Sequence, residues 1–207
     1  MFHYHQYRCT DIALIRSFVA KFPLALIISQ EGDQWLSSQI PMFFEESDSV
    51  LFAHVDAQNP QFSSDPSFRA LVIFMGPNIY VPPEAYLSHQ LPTWNYLAVH
   101  AYGTVSVVDD PTKNLDILRK TAIRLAPTPS TFRVKNDDSR VIEWIKGIRG
   151  LRIELSQIEG RFKLSQDKTP PDVEAAAKYF VDMVGKSLTT DMLLTLIGGN
   201  QQRNQSI

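Results

Sequence analysis

Residues 24–43 read LALIISQEGDQWLSSQIPMF, and their pattern decides the class of fold. Leu24 to Ser29 is a short apolar run, and Glu31-Gly32-Asp33 follows it with turn chemistry. Leu36, Ser38, Ile40 and Met42 then alternate with Ser37, Gln39 and Phe43, so a period of two brackets a tight turn and predicts a β-hairpin. The same period recurs outward from this point. Val50 to Ala57 puts Leu51, Ala53, Val55 and Ala57 on one face and Val50, Phe52, His54 and Asp56 on the other. Ala70 to Met75 is an apolar run with Gly76-Pro77 as its expected stop, Asn95 to Val108 is long enough to bend at Gly103, and Leu151, Ile153 and Leu155 alternate with Arg152, Glu154 and Ser156. Six strands are predicted.

Three helices are expected around them. The first follows Thr10-Asp11 with Ile12, Ile15, Val19 and Phe22 on one stripe and ends at Pro23. The second opens at Asp110-Pro111 with Leu115, Leu118, Ala122 and Leu125 on one side, and the third starts near Thr169-Pro170-Pro171 and buries Val173, Ala177, Phe180 and Val184. Strands separated by turns, with helices at the edges, predict a mainly β, α+β fold: a six-stranded antiparallel barrel. Residues 1–190 are expected to form one domain. Residues 191–207 form a polar tail expected to fray, and Ala126 to Asp138 is expected to be a long loop.

Composition narrows the function. Of 207 residues 44% are hydrophobic and 20% charged, enough for a sizeable core. The polar start MFHYHQYRCTD and the lack of any long apolar run predict a soluble, cytoplasmic protein with no membrane span. One cysteine, Cys9, rules out an internal disulfide, and no metal is assigned to His3, His5 and Cys9. With 20 Lys+Arg against 22 Asp+Glu, there is no bulk cationic field for nucleic acid. No phosphate-binding glycine loop, G-x-S-x-G elbow or H-E-x-x-H helix occurs, so no residue is named as catalytic.

Four segments carry unusual chemistry: Ala53-His54-Val55-Asp56-Ala57-Gln58-Asn59-Pro60, Phe74 to Pro83, Leu91 to Tyr96 leading into Val99-His100-Ala101-Tyr102-Gly103, and Glu159 to Gln166. In this order and at these separations they resemble the PaiB family, known as FMN-binding negative transcriptional regulators. P-T-W-N-Y followed by V-H-A-Y-G is the most specific element, and F-x-G-P-x-x-Y-x-x-P and E-G-x-x-K-L-S-Q are nearly as diagnostic. The resemblance runs from about Tyr4 to the third helix. It implies a split β-barrel of the flavin-binding type, a homodimer in which each flavin lies in a groove between the two subunits.

The residues offer what FMN requires: charge for a phosphate, polar groups for the ribityl chain and ring edge, and a flat apolar bed. Lys163 and Arg161 supply charge. Ser38, Asn59, Ser165 and Gln166 supply hydrogen bonds, Trp94 and Tyr96 a wall, and Asn95 and His54 complete the candidate cofactor-binding set. Each has a plainer role open to it: His54 as a half-buried histidine, Trp94 and Tyr96 as core or dimer interface, Asn59-Pro60 as a turn. The chain also departs from the family's G-H-x-A-R-A-N-P, because Ala57 stands at the arginine and Asp56 precedes it, which removes a bidentate phosphate donor. Gln39 stands where the family often has a histidine, and Ser38 replaces its threonine. A flavin pocket weakened or lost is therefore one expectation. The others are a flavin-binding regulator or ligand sensor and, as an enzyme, an FMN-dependent oxidoreductase of the flavin-reductase or pyridoxamine-phosphate-oxidase kind. For DNA, the best candidate face is the second helix with Lys113, Arg119, Lys120 and Arg124, extended by Arg140, Lys146, Arg149 and Arg152, for which a solvated basic face is the plainer reading.

Overall fold

The computed structural model describes residues 4–126, 134, 138–185, 189–190 and 193–195. The expected loop from Ala126 to Asp138 and the expected tail fall largely outside the described residues. Among the described residues there are eight strands: β1 (Arg8–Cys9), β2 (Leu24–Glu31), β3 (Gln34–Pro41), β4 (Phe43–Phe44), β5 (Val50–Asp56), β6 (Ser67–Val81), β7 (Thr93–Val108) and β8 (Ile148–Lys163). Four α-helices accompany them: α1 (Ile12–Lys21), α2 (Pro111–Leu125), α3 (Ser139–Trp144) and α4 (Pro170–Val184). The strands are hydrogen-bonded in the order β3-β2-β6-β7-β8-β5-β4, with β1 on β8, so the path is open. The expected mainly antiparallel β fold with peripheral helices is present, while the expected six strands are corrected to eight among the described residues, in a sheet that is not closed. The two unforeseen strands, β1 and β4, are two residues long, too short to display a period.

The chain divides into two compact units, and β6, β7 and β8 each run from one into the other. The larger comprises Val19–Phe74 and Ala101–Ile158. Its β2–β3 hairpin pairs Glu31 with Gln34 across Gly32-Asp33. Gly32 alone of the turn pair has a positive φ, 57°, the dihedral sign of a type II′ turn, which matches the twist of the flanking strands. β2 pairs on its other side with Ala70–Phe74 of β6, and β5 pairs with both β4 and β8, all antiparallel. Phe43, Phe52 and Ile117 form a buried cluster.

Helix α2 starts as expected: Asp110 Oδ1 accepts from the N–H groups of Thr112 and Lys113 at 2.9 and 3.2 Å. Its inward face differs from the expected one. Asn114, Ile117 and Thr121 are buried, while Leu125 is 49% exposed. The polar Asn114 goes inward because β8 needs it: its Oδ1 accepts from Gly150 N at 2.9 Å and its Nδ2 donates to Ile148 O at 3.1 Å.

The second unit comprises Met1–Phe18, Met75–His100 and Glu159–Ile207. Gly76-Pro77 does not end β6. A Cβ on Gly76 would meet Phe18 Cε2 at 2.8 Å and Leu97 Cβ at 3.2 Å, so glycine is there for close approach. Pro77 is tolerated because the described β2 pairing stops at Phe74. Phe18 packs on Phe162 with ring centroids 5.3 Å apart, and Val81, Tyr86 and Ala176 form a buried cluster beneath α4. Asp172, in the first turn of α4, is buried and accepts from Leu87 N, Ser88 N, Ser88 Oγ, Gln90 Nε2 and Thr169 Oγ1 at 2.5–3.3 Å. Those donors hold its carboxyl down at about 2. No helix among the described residues is long and apolar enough to cross a membrane.

Candidate functional site

The ten residues expected to hold a cofactor fall into two sets, one in each unit. In the smaller unit the end of β8 projects Arg161 and Lys163 from one face, two residues apart. Arg8 of β1 stands opposite Arg161 in the ladder, so a third cation shares that edge. The Arg161 guanidinium carbon lies 5.4 Å from the centroid of Tyr96 and 5.8 Å from that of Tyr7, within range of a cation–π contact. Lys163 Nζ lies 6.0 Å from the Tyr7 centroid and donates to Thr93 Oγ1 at 2.5 Å. Burial, followed by the charge of Arg161, pushes the Lys163 ammonium below its ordinary pKa, with Asp167 opposing. The Tyr7 hydroxyl is pushed up to about 12 by burial and by the Asp167 carboxylate, which keeps it protonated.

Trp94, 51% exposed, extends this surface. Its Nε1 donates to Asn78 Oδ1 at 3.1 Å and its ring lies 6.3 Å from that of Tyr80, itself 50% exposed. Two neighbouring aromatic rings are thus half exposed, one of them tied by a hydrogen bond.

Asn95, Ser165 and Gln166 are differently used. Asn95 Nδ2 donates to Ser165 Oγ at 2.9 Å, and the Tyr86 hydroxyl lies 2.8 Å from the same oxygen. Asn95 and Ser165 are both 1% exposed. Ser165 has φ +64°, a left-handed conformation that costs a non-glycine residue about 1–2 kcal/mol. Gln166 accepts from Leu164 N at 2.7 Å and donates to Phe162 O and, at 3.2 Å, to Gln6 O. These three residues lock the turn that presents Lys163.

In the larger unit Ser38 and Asn59 meet at Gln61. Ser38 Oγ donates to Gln61 Oε1 at 2.7 Å, Asn59 Nδ2 donates to Ser38 Oγ at 3.0 Å, and Asn59 Oδ1 accepts from Gln61 N at 3.1 Å. Gln61 Nε2 turns to Ser29 Oγ at 3.0 Å and to the carbonyls of Leu36 and Ile27 at 3.3 and 3.4 Å. His54 is not brought to this group. It pairs with Gly150, where a Cβ would meet Ile117 Cδ1 at 2.5 Å and Asn114 Oδ1 at 2.7 Å, so His54 faces α2. Its Nδ1 is buried without a hydrogen-bond partner, and burial lowers its pKa.

Sequence reasoning missed Tyr7, Thr93, Tyr86 and Gln61. Tyr7 sits in an N-terminal segment with no period, and Gln61 follows an Asn-Pro turn. Their partners lie up to 156 residues away along the chain, as Lys163 does from Tyr7, beyond any local pattern.

The candidate DNA face is largely occupied by its own acids. Lys120 pairs with Asp116 at 2.8 Å, Lys113 with Asp110 at 4.0 Å, Arg140 with Asp138 at 2.7 Å, Lys146 with Glu143 at 2.8 Å, and Arg152 with Glu154. Arg119 donates to the Val134 carbonyl at 3.3 Å.

Comparison with known proteins places this architecture. Residues 1–157 match the family described as "Putative FMN-binding domain". That match contains Ser38, His54, Asn59 and Trp94 to Tyr96 and stops short of Arg161, Lys163, Ser165 and Gln166. The chain is 27% identical to the protease synthase and sporulation protein PAI 2 of Bacillus subtilis, over 80% of this chain and 82% of that one. It is 25% identical to an uncharacterized protein of Aspergillus fumigatus, over 83% and 87%. Among solved structures it resembles the flavocytochrome Anf3 from Azotobacter vinelandii, with TM-score 0.60, 13% identity, and 83% and 74% of the two chains covered. It also resembles the FAD and heme binding protein from Mycobacterium smegmatis, with TM-score 0.55, 12% identity, and 76% and 73% covered. At those identities the structures share a fold, that of the flavin-binding split barrels, in which an open antiparallel sheet carries peripheral helices. The chain therefore belongs to the PaiB-type family of FMN-binding split-barrel proteins.

Proposed function

We propose that the protein binds FMN as a homodimer and acts as a flavin-dependent sensor or regulator. The observation that carries this is the arrangement of Arg161 and Lys163 against Tyr7 and Tyr96, beside the open rings of Trp94 and Tyr80. Burial, together with the charge of Arg161, lowers the pKa of the Lys163 ammonium. An anionic ligand opposes that shift, and an aromatic one uses the rings. Because the cations sit among aromatic rings, they suit the electron-rich pyrimidine edge of an isoalloxazine lying on Trp94. When bound, FMN would supply electron-transfer chemistry at that ring.

The chain's own contribution is to orient the ring, offer positive charge at its edge and limit water around Lys163. Asn95, Ser165 and Gln166 serve as positioning residues for that cation. A homodimer is favoured by Met75, Tyr80 and Trp94, each about half exposed on β6 and β7, apolar surface that a second copy would cover. Direct DNA contact through α2 draws no support from cations already paired with carboxylates.

The test is titration of the purified protein with FMN, followed by flavin fluorescence, with the oligomeric state measured by light scattering. Equimolar binding to a dimer is expected, and Lys163→Ala should weaken it about tenfold. Protein whose spectrum FMN leaves unchanged would overturn the proposal and favour a barrel that has lost its cofactor.

A further inference from the structure

An open cavity of about 440 Å³ lies within the larger unit, between α2 and the turn that joins β4 to β5. That volume falls in the range of small-molecule pockets, roughly 300–1,000 Å³. Its floor is aromatic. Phe44 and Phe52 are 4% and 2% exposed, and Phe52 is backed by Phe43, with ring centroids 5.8 Å apart, and by Ile117. One wall is acidic: Glu45 and Glu46 follow β4 in a turn tied by Glu45 N donating to Val50 O at 3.0 Å and Ser49 N to Ser47 Oγ at 3.2 Å. The other wall is one side of α2, where Lys120, Ile123 and Arg124 stand three and four residues apart. Ile123 is 73% exposed, so the cavity has an uncovered apolar rim.

The charges on the two walls do not neutralise one another. Lys120 pairs with Asp116 at 2.8 Å, one turn earlier on its own helix. Asp116 raises the Lys120 pKa most, and the Glu45 and Glu46 carboxylates add to the shift, so both acids lie close enough to act on the helix. Among the described residues, however, neither Glu46 nor Arg124 forms an ion pair. This sets Arg124 apart from Lys113 and Lys120 on the same helix, each held by an acid. A purely anionic ligand, nucleic acid included, would meet the two carboxylates, and a polycation would meet the helix. The walls complement an occupant that carries one charge of each sign at separate points, joined by an apolar body for the aromatic floor.

We infer that this cavity binds a short peptide with free ends and apolar side chains, its ammonium on Glu46 and its carboxylate on Arg124. The site shares no residue with the proposed flavin site, so the two stand or fall separately.

The experiment is isothermal titration calorimetry of the full chain with the dipeptide phenylalanyl-leucine, and with the same dipeptide acetylated at its amine or amidated at its carboxylate. The wild-type chain should bind the free dipeptide about tenfold more tightly than either blocked form. Arg124→Ala should weaken the free dipeptide about tenfold and leave the amidated form within about twofold, because the partner of the guanidinium is already gone. Glu46→Gln should do the same for the free and acetylated forms. Both positions are exposed, so the variants should melt with the wild-type chain, and the blocked dipeptides test the assignment on the wild-type chain alone. A wild-type chain that binds no free dipeptide, or binds the blocked forms as tightly, overturns the inference. So does a loss in either variant that is equally large for the free and the correspondingly blocked dipeptide.

Discussion

Each unit contains a buried knot of serine, asparagine and glutamine, and the two knots behave differently. Around Gln61 every partner is neutral: two serine hydroxyls, an asparagine amide and two strand carbonyls. Around Ser165 the partners are also neutral, but the backbone is held in a left-handed conformation and the neighbouring residues in sequence are Lys163 and Asp167. The first knot ties a loop to a hairpin. The second holds a turn in an unfavourable shape so that a cation emerges at a set place beside aromatic rings. Polar residue types alone do not mark a ligand site. A charge kept among rings, beside a turn in a left-handed backbone conformation, is what supports the proposed site.

Three variants test that contrast, in order of expected effect. Gln61→Ala should cost the most, about 3 kcal/mol, because it removes buried volume and leaves Ser29, Ser38 and two carbonyls short of partners. Urea denaturation measures it, and a loss below about 1 kcal/mol would show that water replaces the amide and that the site is open. Ser165→Ala should cost about 2 kcal/mol, since the left-handed backbone remains while Tyr86 and Asn95 lose their shared oxygen. Ser165→Gly should cost about 1 kcal/mol less than Ser165→Ala, because glycine adopts a positive φ without penalty. Equal losses in the two variants would mean that no strain is stored there.

The smallest effect concerns pH. Asp172 has a carboxyl pKa depressed to about 2 in the folded chain, against 3.8 as its ordinary value. A depressed carboxyl contributes stability that is present above the ordinary value and lost as pH falls through the folded one. Melting temperatures of the wild-type chain should therefore fall between about pH 4 and pH 2, and those of Asp172→Asn should fall less steeply over the same window. Parallel curves would remove Asp172 from the acid response.

Much of the fold was legible. The β2–β3 hairpin, the turn at Gly32 and the Asp110 cap are local events, fixed by side-chain period and by groups within three residues of one another. The candidate site was legible only as residue types. Arg161 lies against Tyr96 and Lys163 against Tyr7, Trp94 stands against Asn78 and Tyr80, and Ser38 and Asn59 meet at Gln61, whose importance no spacing announces. The α2 stripe was misjudged for the same reason: a leucine period reads as an inward face, yet Asn114 is buried because β8 offers it an N–H and a carbonyl 34 to 36 residues away.

By itself, then, the sequence settled element types, turn positions and family, because each depends on steric and hydrophobic preferences repeated at short range. Tertiary structure alone decided which polar groups are already satisfied and which remain for a ligand. Ladder pairing joins residues such as His54 and Gly150 through space, and strand pairing across nearly a hundred intervening residues leaves no trace in the local pattern of either.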